Sequence, residues 1–223
     1  QLHYPFENKT KFETSFPADF IAEGVDQTRG WFFTLHAIST ILFSSVSFKN
    51  VISNGLVLDK DGNKMSKRLG NAVDPFKTLK KYSADATRWY MITNSQPWDN
   101  LKFNELGIQE VQRKFFGTIF NTYSFFSLYA NIDSFDFSEK YIAAQERDEL
   151  DRWILSELNS LIKTVETSLD KYESNKATRE IQNFVINKLS NWYVRLSRRR
   201  FWKGNYNFEK ISAYQTLYEC LEK

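Results

Sequence analysis

The spacing of the apolar residues changes near residue 104, and this change limits the folds that the chain can adopt. Before it, the short apolar runs "ADFIAEG" and "NVISNGLVLD" flank one helical stretch, "DQTRGWFFTLHAISTILF". Strand, helix and strand in that order predict the βαβ pattern of a parallel sheet. After it, three runs keep a helical rhythm with no strand between them, which predicts a helical bundle. We therefore predict an α/β domain over residues 1–103 and an all-α domain over residues 104–223.

Local signals refine this outline. Asp26 is the first residue of the helical stretch and is a residue type that favours the N-cap position. The stretches "VDPFKTLKKY" and "SADATRWYMIT" are predicted to be helical, with Ser83 as a cap of the second. The later helical runs cover about 106–126, 150–169 and 181–196. The acidic, irregular link between the first two of them is predicted to be a loop.

Composition excludes several classes of protein. The chain has 30 basic and 27 acidic residues, so its overall charge of +3 does not indicate a partner. Cys220 is the single cysteine, and with only His3 and His36 beside it neither a disulfide framework nor a zinc site is expected. No signal peptide and no membrane-spanning apolar run is present in the sequence, which favours a cytoplasmic protein. The chain also lacks an initiator Met, and we expect it to be a fragment.

The stretch "GNKMSKRLGN", residues 62–71, places three cations in a short loop between two glycines. Lys64 and Lys67 are point charges on flexible stems, which suit phosphate oxygens that move during a reaction. Nucleotidyl transfer needs such charge stabilisation more than it needs covalent help from the protein. The alternative is a solvated basic turn, which would be the better interpretation for an arbitrary lysine-rich loop.

Polar residues follow the first predicted strand, where open α/β sheets bind their ligands. Glu23 can hold an ammonium group, and Asp26 and Gln27 can hydrogen-bond a sugar or an amide. Helix capping is the alternative for Asp26. Trp31 can wall an apolar pocket, although periodicity alone favours core packing for it.

The third helical run is strongly basic. Residues 178–203 contain seven basic residues and one acidic residue, with aromatic residues between them. Basic side chains suit a phosphate backbone, and exposed aromatic rings can stack on splayed bases. The spacing of Trp192 and Tyr193 favours core positions for both. The run 198–200 cannot face the core as a whole, and Trp202 either stacks on a base or caps the bundle.

The segments "EGVDQTRGWF", "NGLVLDKDGNKMSKRLGNAVDP" and "SADATRWYM" together resemble the second half of the catalytic domain of isoleucyl-tRNA synthetases, a family of class I aminoacyl-tRNA synthetases. The stretch "GNKMSKRLGN" resembles the KMSKS signature of class I, with Arg68 in place of the last Ser. That departure and "NWYVRLSRRRFW" resemble the eukaryotic-type branch of the family. The resemblance implies the second half of a Rossmann-like nucleotide-binding domain, followed by an anticodon-binding helical bundle.

The resemblance also implies partners and residue roles. ATP with Mg²⁺, isoleucine and the tRNA for isoleucine are the expected ligands, and neither a membrane nor DNA is expected. Lys64 and Lys67 would be catalytic, and together with Met65 and Ser66 they would bind ATP. The residues implied to hold the isoleucyl-adenylate are Glu23, Gly24, Asp26, Gln27 and Trp31, and those implied to bind tRNA are Arg195, Arg198, Arg199, Arg200 and Trp202.

Two features limit what the chain is expected to do alone. The other class I signature, His-Ile-Gly-His, and the editing domain are absent from this sequence. We therefore expect the chain, as given, not to activate isoleucine by itself. The alternatives are a valyl-tRNA synthetase or another class I synthetase, and a non-catalytic tRNA-binding module with a vestigial lysine loop.

Overall fold

The computed structural model describes residues 3–223, and contacts divide the chain into two compact units. Of the described residues, the first unit comprises 3–73 and 95–103, and the second comprises 74–94 and 104–223. The first two residues of the predicted α/β domain lie outside the described residues. The helical stretches that follow the lysine-rich loop thus group with the helical part of the chain. The proposed domain boundary at residue 103 stays a prediction.

The first unit is built on a parallel βαβ arrangement, as predicted. A short helix, α1 (Lys9–Ser15), precedes strand β1 (Ala18–Gly24), which reproduces the predicted run. Helix α2 (Trp31–Phe43) then leads to strand β2 (Phe48–Asn54). The two strands pair in parallel from their first residues to their last. Their carboxyl ends therefore lie side by side, where polar residues follow β1.

The second predicted strand is interrupted at Gly55. It divides into β2 and the short strand β3 (Val57–Leu58), which pairs in parallel with β4 (Leu101–Lys102). The Gly55 N–H donates to the Pro97 carbonyl at 2.9 Å, and a Cβ at Gly55 would lie 2.3 Å from the Asp99 carbonyl oxygen. Only glycine permits this close approach of two backbone segments.

The second unit begins with two helices that the sequence predicts. Helix α3 (Pro75–Tyr82) has proline in its first turn, and the Asp74 carboxylate accepts hydrogen bonds from two N–H groups of that turn. Helix α4 (Ala84–Asn94) follows after one residue, Ser83. The Ser83 hydroxyl accepts from the Ala86 N–H at 3.4 Å, which agrees with its predicted capping role.

The remaining helices form a bundle around one apolar core. Two of its long helices contain π-helical segments, at Gln112–Phe116 and Phe184–Val194. The core is formed by large side chains of the bundle, among them Ile154, Tyr193, Phe201 and Leu217. The helices are α5 (Glu105–Val111), α6 (Gly117–Asp133), α7 (Glu149–Asp170), α8 (Ser174–Asn183), α9 (Arg195–Trp202) and α10 (Phe208–Glu222).

Helix α10 has no counterpart in the sequence prediction. Every residue from Ser212 to Leu217 is buried, so this helix has no polar face to reveal its period. Its buried polar groups have partners instead. The Lys210 ammonium pairs with Asp133 at 2.6 Å, and the Gln215 side chain accepts from the Ile142 N–H and donates to the Lys140 carbonyl. Helix α10 therefore stabilises the irregular link that follows α6 through these hydrogen bonds and this ion pair.

In residues 3–223, no helix is both long enough and apolar enough to cross a bilayer. The longest uninterrupted α-helical element of the described residues, α7, has 22 residues, and charged side chains recur along it. Its buried side faces the bundle core and its charged side faces water, as expected of an amphipathic helix.

Candidate functional site

The loop that carries the lysines is closed at its base by one carboxylate. We call residues 59–71 the lysine loop. Oδ1 of Asp59 accepts hydrogen bonds from the N–H groups of Asp61 and Asn63, at 3.0 and 2.8 Å. Oδ2 of Asp59 accepts from Nδ2 of Asn71 at 2.9 Å. These hydrogen bonds, that from Asn71 above all, lower the pKa of Asp59, so the carboxylate is ionised at neutral pH.

Asn71 also fixes the inner part of the lysine loop. Its Nδ2 donates to the Lys64 carbonyl at 3.2 Å, and its Oδ1 accepts from the Ser66 N–H at 2.8 Å. Ser66 in turn caps a short 3₁₀ turn, Lys67–Leu69, by accepting the Arg68 N–H at 3.2 Å. Uncharged and acidic side chains therefore hold the shape of the loop, and its lysines do not.

The cations of the lysine loop are left available. Lys64 and Lys67 are exposed, and neither has an ion-pair partner among the residues that the structure describes. Gly62 and Gly70 have φ angles of 91° and 70°, which glycine adopts without strain. An exposed loop that presents two unpaired ammonium groups from a tied backbone can bind a polyanion such as a polyphosphate. Met65 is half-buried beneath it.

The polar residues after β1 form a second group. Glu23 is the penultimate residue of the strand and is exposed, and its carboxylate accepts the Gly24 N–H at 3.0 Å. The Asp26 carboxylate accepts from the Gln27 side-chain amide at 3.1 Å. A Cβ at Gly24 would lie 2.6 Å from Oδ1 of Asp26, so a glycine at this position makes room for the carboxylate. Two exposed carboxylates thus stand at the carboxyl end of a parallel strand.

The predicted capping role of Asp26 is wrong. A 3₁₀ turn, Val25–Arg29, intervenes between β1 and α2, so the helix starts later than expected. The first N–H of α2, that of Trp31, donates to Oε1 of Gln27 at 2.8 Å. Gln27 therefore caps the helix, and the Asp26 carboxylate is not used for capping. Trp31 is 49% exposed in the described unit. The prediction from periodicity that Trp31 packs in the core is therefore wrong as well.

The basic run of the sequence lies on α9. Arg195, Arg198, Arg199 and Trp202 recur at spacings of three and four residues, which places them on one side of the helix. All four are exposed, and none of the arginines has an ion-pair partner among residues 3–223. We call these four residues the arginine face. It presents three unpaired positive charges and one exposed indole ring from a rigid helix.

Arg200 differs from the prediction that it belongs with the tRNA-binding residues. Its guanidinium turns inward and donates from both terminal nitrogens to the buried carboxylate of Asp151, at 2.7 Å each. Burial alone would lower the pKa of Arg200, but the hydrogen bonds and charge of Asp151 outweigh it and raise that pKa. The side chain is therefore a structural cation and is removed from the candidate RNA-binding set.

Sequence periodicity misplaces Trp192 but not Tyr193. Tyr193 is fully buried, as predicted, whereas Trp192 is 56% exposed. Both lie in the π-helical segment 184–194, whose wider turns shift the phase of the pattern relative to an α-helix. Trp192 is therefore an exposed aromatic residue on the turn that precedes α9.

Comparison with known families assigns two parts of the chain to known domains. Residues 1–104 match the family of class I tRNA synthetases for isoleucine, leucine, methionine and valine. Residues 151–223 match the anticodon-binding domain of tRNA ligases. The lysine loop and the residues after β1 fall in the first match, and the arginine face falls in the second.

Individual relatives narrow the assignment. The chain is 68% identical to an isoleucine–tRNA ligase of Cytophaga hutchinsonii over 222 residues, which is 100% of this chain and 20% of the relative. It is 67% identical to an isoleucine–tRNA ligase of Bacteroides thetaiotaomicron, over 100% of this chain and 19% of the relative. The isoleucine–tRNA ligase of Clostridium novyi is 54% identical over 99% of the chain. The chain spans about one fifth of the length of these relatives.

Solved structures show the same fold at low identity. A methionyl-tRNA synthetase of Mycobacterium tuberculosis matches with a TM-score of 0.75 and 17% identity, over 97% of this chain and 42% of that one. A leucyl-tRNA synthetase of Agrobacterium radiobacter matches with a TM-score of 0.67 and 20% identity, over 92% of this chain and 26% of that one. The fold and the matched domains are those of the class I aminoacyl-tRNA synthetases. Within that class the chain matches isoleucine–tRNA ligases along its whole length, as a segment with the end of the catalytic domain and the anticodon-binding domain.

Proposed function

We propose that the protein containing this segment activates isoleucine with ATP and transfers it to the tRNA for isoleucine. The proposal rests chiefly on one observation: a lysine loop with unpaired cations lies in a chain that is 66–68% identical along its whole length to isoleucine–tRNA ligases. The segment would supply part of the nucleotide site and the surface that binds RNA.

In the proposed activation step, a carboxylate oxygen of isoleucine attacks the α-phosphorus of ATP. The bond to the bridging oxygen breaks, and pyrophosphate leaves with the negative charge that develops. Lys67 and Lys64 act on that charge as unpaired, exposed cations, and Met65 and Ser66 shape the loop that carries them. Lys67 has the larger effect in this proposal.

The residues after β1 serve the amino acid and the ribose in the same proposal. The exposed Glu23 carboxylate holds the ammonium group of isoleucine, because an unpaired carboxylate at a strand end is suited to a cation. Gly24 allows Asp26 to approach the backbone. The Asp26 carboxylate accepts hydrogen bonds from the aminoacyl and ribose part, and the Gln27 amide donates to it. The exposed indole of Trp31 walls the side-chain pocket.

Mg²⁺ enters the proposal with the nucleotide. Among residues 3–223 there is no group of three or more His, Cys, Asp or Glu side chains placed to hold a metal ion. The lysine loop fits a polyphosphate rather than a metal, because its free groups are ammonium ions. We therefore infer that Mg²⁺ is bound by phosphate oxygens of ATP and offsets their charge.

The arginine face is the proposed tRNA-binding surface. Arg195, Arg198 and Arg199 would contact phosphates, and Trp202 would stack on an unpaired base. We add Trp192 to this set because its exposed ring lies on the turns that precede α9. The same proposal places the enzyme in the cytoplasm, where tRNA is charged for translation.

The branch of the family is a separate proposal. Arg68 at the last position of the lysine signature and the run "NWYVRLSRRRFW" support an enzyme of the eukaryotic-type branch. The relatives named above are bacterial, so the proposal is that this branch includes bacterial members. A phylogeny of full-length sequences that groups this chain with the commoner bacterial type would refute it.

The function is tested with the full-length protein and a panel of amino acids. Isoleucine should support ATP–pyrophosphate exchange with a kcat/KM about 10²-fold above that for valine, since one methylene separates the two. Exchange that prefers valine, leucine or methionine would assign the protein to another synthetase of the group. No exchange with any of them, together with retained tRNA binding, would favour a non-catalytic RNA-binding module.

A further inference from the structure

One carboxylate organises the interior of the helical unit. Asp151, on α7, is fully buried and accepts four hydrogen bonds. Two come from Arg200, one from the Tyr193 hydroxyl and one from the Ser212 hydroxyl, and all four are 2.7 Å long. Burial and the charge of Asp151 raise the pKa of Tyr193, so its hydroxyl stays protonated and remains a donor.

These hydrogen bonds fix α9 at two points. Tyr193 lies at the end of the π-helical segment and Arg200 lies near the end of α9, so the two donors are about two turns apart on one continuous helix. Arg200 also donates to the Glu209 carbonyl at 2.9 Å, which ties the same helix to the start of α10. A helix held at two points along its length cannot roll about its axis without breaking hydrogen bonds to a buried charge.

The arginine face is on the opposite side of this helix. Arg198 and Arg199 are exposed, whereas Ser197, Arg200 and Phe201 point toward the bundle. The rotation of α9 about its axis therefore sets where the exposed guanidinium groups lie. We propose that Asp151 is a positioning residue for tRNA binding, which acts through Arg200 and Tyr193 to orient the arginine face. This inference rests on the proposed function of that face.

A buried ion pair alone is weak grounds for a role in stability, because desolvation offsets much of its Coulombic gain. The same unit has a second buried network of similar make-up. The Asp133 carboxylate accepts from Lys210 and from the Tyr214 hydroxyl, at 2.6 Å each, and links α6 to α10 without contacting α9. A comparison of variants in the two networks therefore separates an effect on general stability from an effect on the orientation of α9.

The test compares Asp151→Asn with the matched variant Asp133→Asn in the full-length synthetase. Each removes one carboxylate charge that pairs with a cation and a tyrosine; Asp151 is fully buried and Asp133 is half-buried. For Asp151→Asn we expect the KM for tRNA in aminoacylation to rise roughly fivefold to tenfold, because charge-assisted phosphate contacts are misaligned. We expect kcat and isoleucine-dependent ATP–pyrophosphate exchange to be unchanged.

For the control, Asp133→Asn, thermal stability should fall while the KM for tRNA stays within about twofold. Equal KM values in the two variants, or an unchanged KM in Asp151→Asn, would overturn the proposal.

Arg200→Lys keeps the inference testable if Asp151→Asn does not fold. Lysine retains the charge but cannot make two parallel hydrogen bonds to the carboxylate, so α9 loses one of its constraints. The KM for tRNA should rise by roughly twofold to fivefold, with exchange unchanged. An unchanged KM would contradict the proposal.

A triple variant, Arg195→Ala with Arg198→Ala and Arg199→Ala, distinguishes a failure of this inference from a failure of the proposed tRNA-binding surface. If it leaves the KM unchanged, the proposed tRNA surface itself is wrong.

Discussion

The lysine loop and the arginine face both present unpaired cations, but they are held in different ways. The lysine loop is fixed by hydrogen bonds among exposed or half-buried polar groups, chiefly between Asp59 and Asn71. The arginine face lies on a helix that a fully buried carboxylate fixes at two points. One set of charges therefore stands on a lightly fastened loop and the other on a rigid element.

This difference matches the two tasks that we propose. During nucleotidyl transfer the negative charge moves from ATP to pyrophosphate, and a loop that can adjust keeps its cations near that charge. The phosphate backbone of folded tRNA has a fixed charge pattern, which a pre-oriented surface meets at a lower entropic cost. The contrast predicts that damage to one region leaves the activity of the other intact.

The largest effect is expected from Lys67→Ala in the full-length enzyme. Loss of the cation should slow adenylate formation by roughly 10²-fold, with little change in isoleucine affinity, because the charge acts on the phosphates. Pre-steady-state measurement of isoleucyl-adenylate formation provides the test. Lys60→Ala is the control, since Lys60 is an exposed lysine of the same loop outside the signature. Equal rates in the two variants would contradict the role of Lys67.

The next effect concerns the arginine face. Replacing Arg195, Arg198 and Arg199 with Ala should weaken tRNA binding by about 10-fold or more at low salt. It should also flatten the plot of log K against log salt by about 0.7–0.9 per lost phosphate contact. Titration of labelled tRNA over a salt series measures both quantities.

The control for this triple variant removes three other exposed cations of the helical unit. Alanine at Arg152, Lys163 and Lys171 changes the net charge of the protein by the same amount. The salt slope should then stay close to that of the unmodified enzyme. If both triple variants flatten the slope equally, tRNA binding depends on overall charge and the arginine face has no special part in it.

A smaller effect tests how the lysine loop is held. Asn71→Ala and Asp59→Ala each remove the hydrogen bond at the base of the loop, so each should slow adenylate formation by roughly fivefold to tenfold. The double variant should be about as slow as either single variant, because the two residues act as one unit. A double variant whose effects simply multiply would mean that the residues act independently.

The smallest effect is a difference in how stability depends on pH through two carboxylates, Asp133 in the helical unit and Asp59 in the lysine loop. Burial alone would raise the pKa of Asp133, but the hydrogen bonds from Lys210 and Tyr214 and the Lys210 charge hold it below the ordinary value of 3.8. Its contribution to stability is therefore complete above about pH 3.8 and is lost as the pH falls through the lowered pKa.

Thermal unfolding midpoints at a series of acidic pH values test this expectation. Asp133→Asn should flatten the acid limb of the stability curve. Asp59, in the lysine loop, also has a lowered pKa, but solvent screens it, so Asp59→Asn should change the curve less. A larger change from Asp59→Asn would reverse the contrast between the two regions.

The sequence predicts those helices and strands of this chain that local signals determine. Strand β1 and helices α3 and α4 are predicted from local signals, namely the apolar run "ADFIAEG", the stretches "VDPFKTLKKY" and "SADATRWYMIT", and Ser83. Helix α10 and the break at Gly55 depend on contacts with distant segments, so no local signal marks them. Helix propensity and apolar periodicity are weak predictors where tertiary contacts determine the secondary structure.

The candidate sites divide in the same way. The residue types and spacing of the lysine loop are visible in the sequence, but the hydrogen bond from Asn71 to Asp59 joins residues twelve positions apart and is not. The basic run on α9 is visible as well. The inward turn of Arg200 is not, because it depends on a buried carboxylate that lies 49 residues earlier on another helix. The shift of Trp192 to the surface needs the π-helical segment, which has no sequence signature of its own.

We propose that one segment serves adenylate formation and tRNA binding through two separate sets of cations. The most direct test of this proposal measures isoleucine-dependent ATP–pyrophosphate exchange and tRNA affinity in the same preparations of full-length enzyme, for Lys67→Ala and for the triple variant at Arg195, Arg198 and Arg199. We expect Lys67→Ala to lose exchange and keep tRNA affinity, and the triple variant to show the reverse. Variants that lose both activities together, or neither, would contradict it.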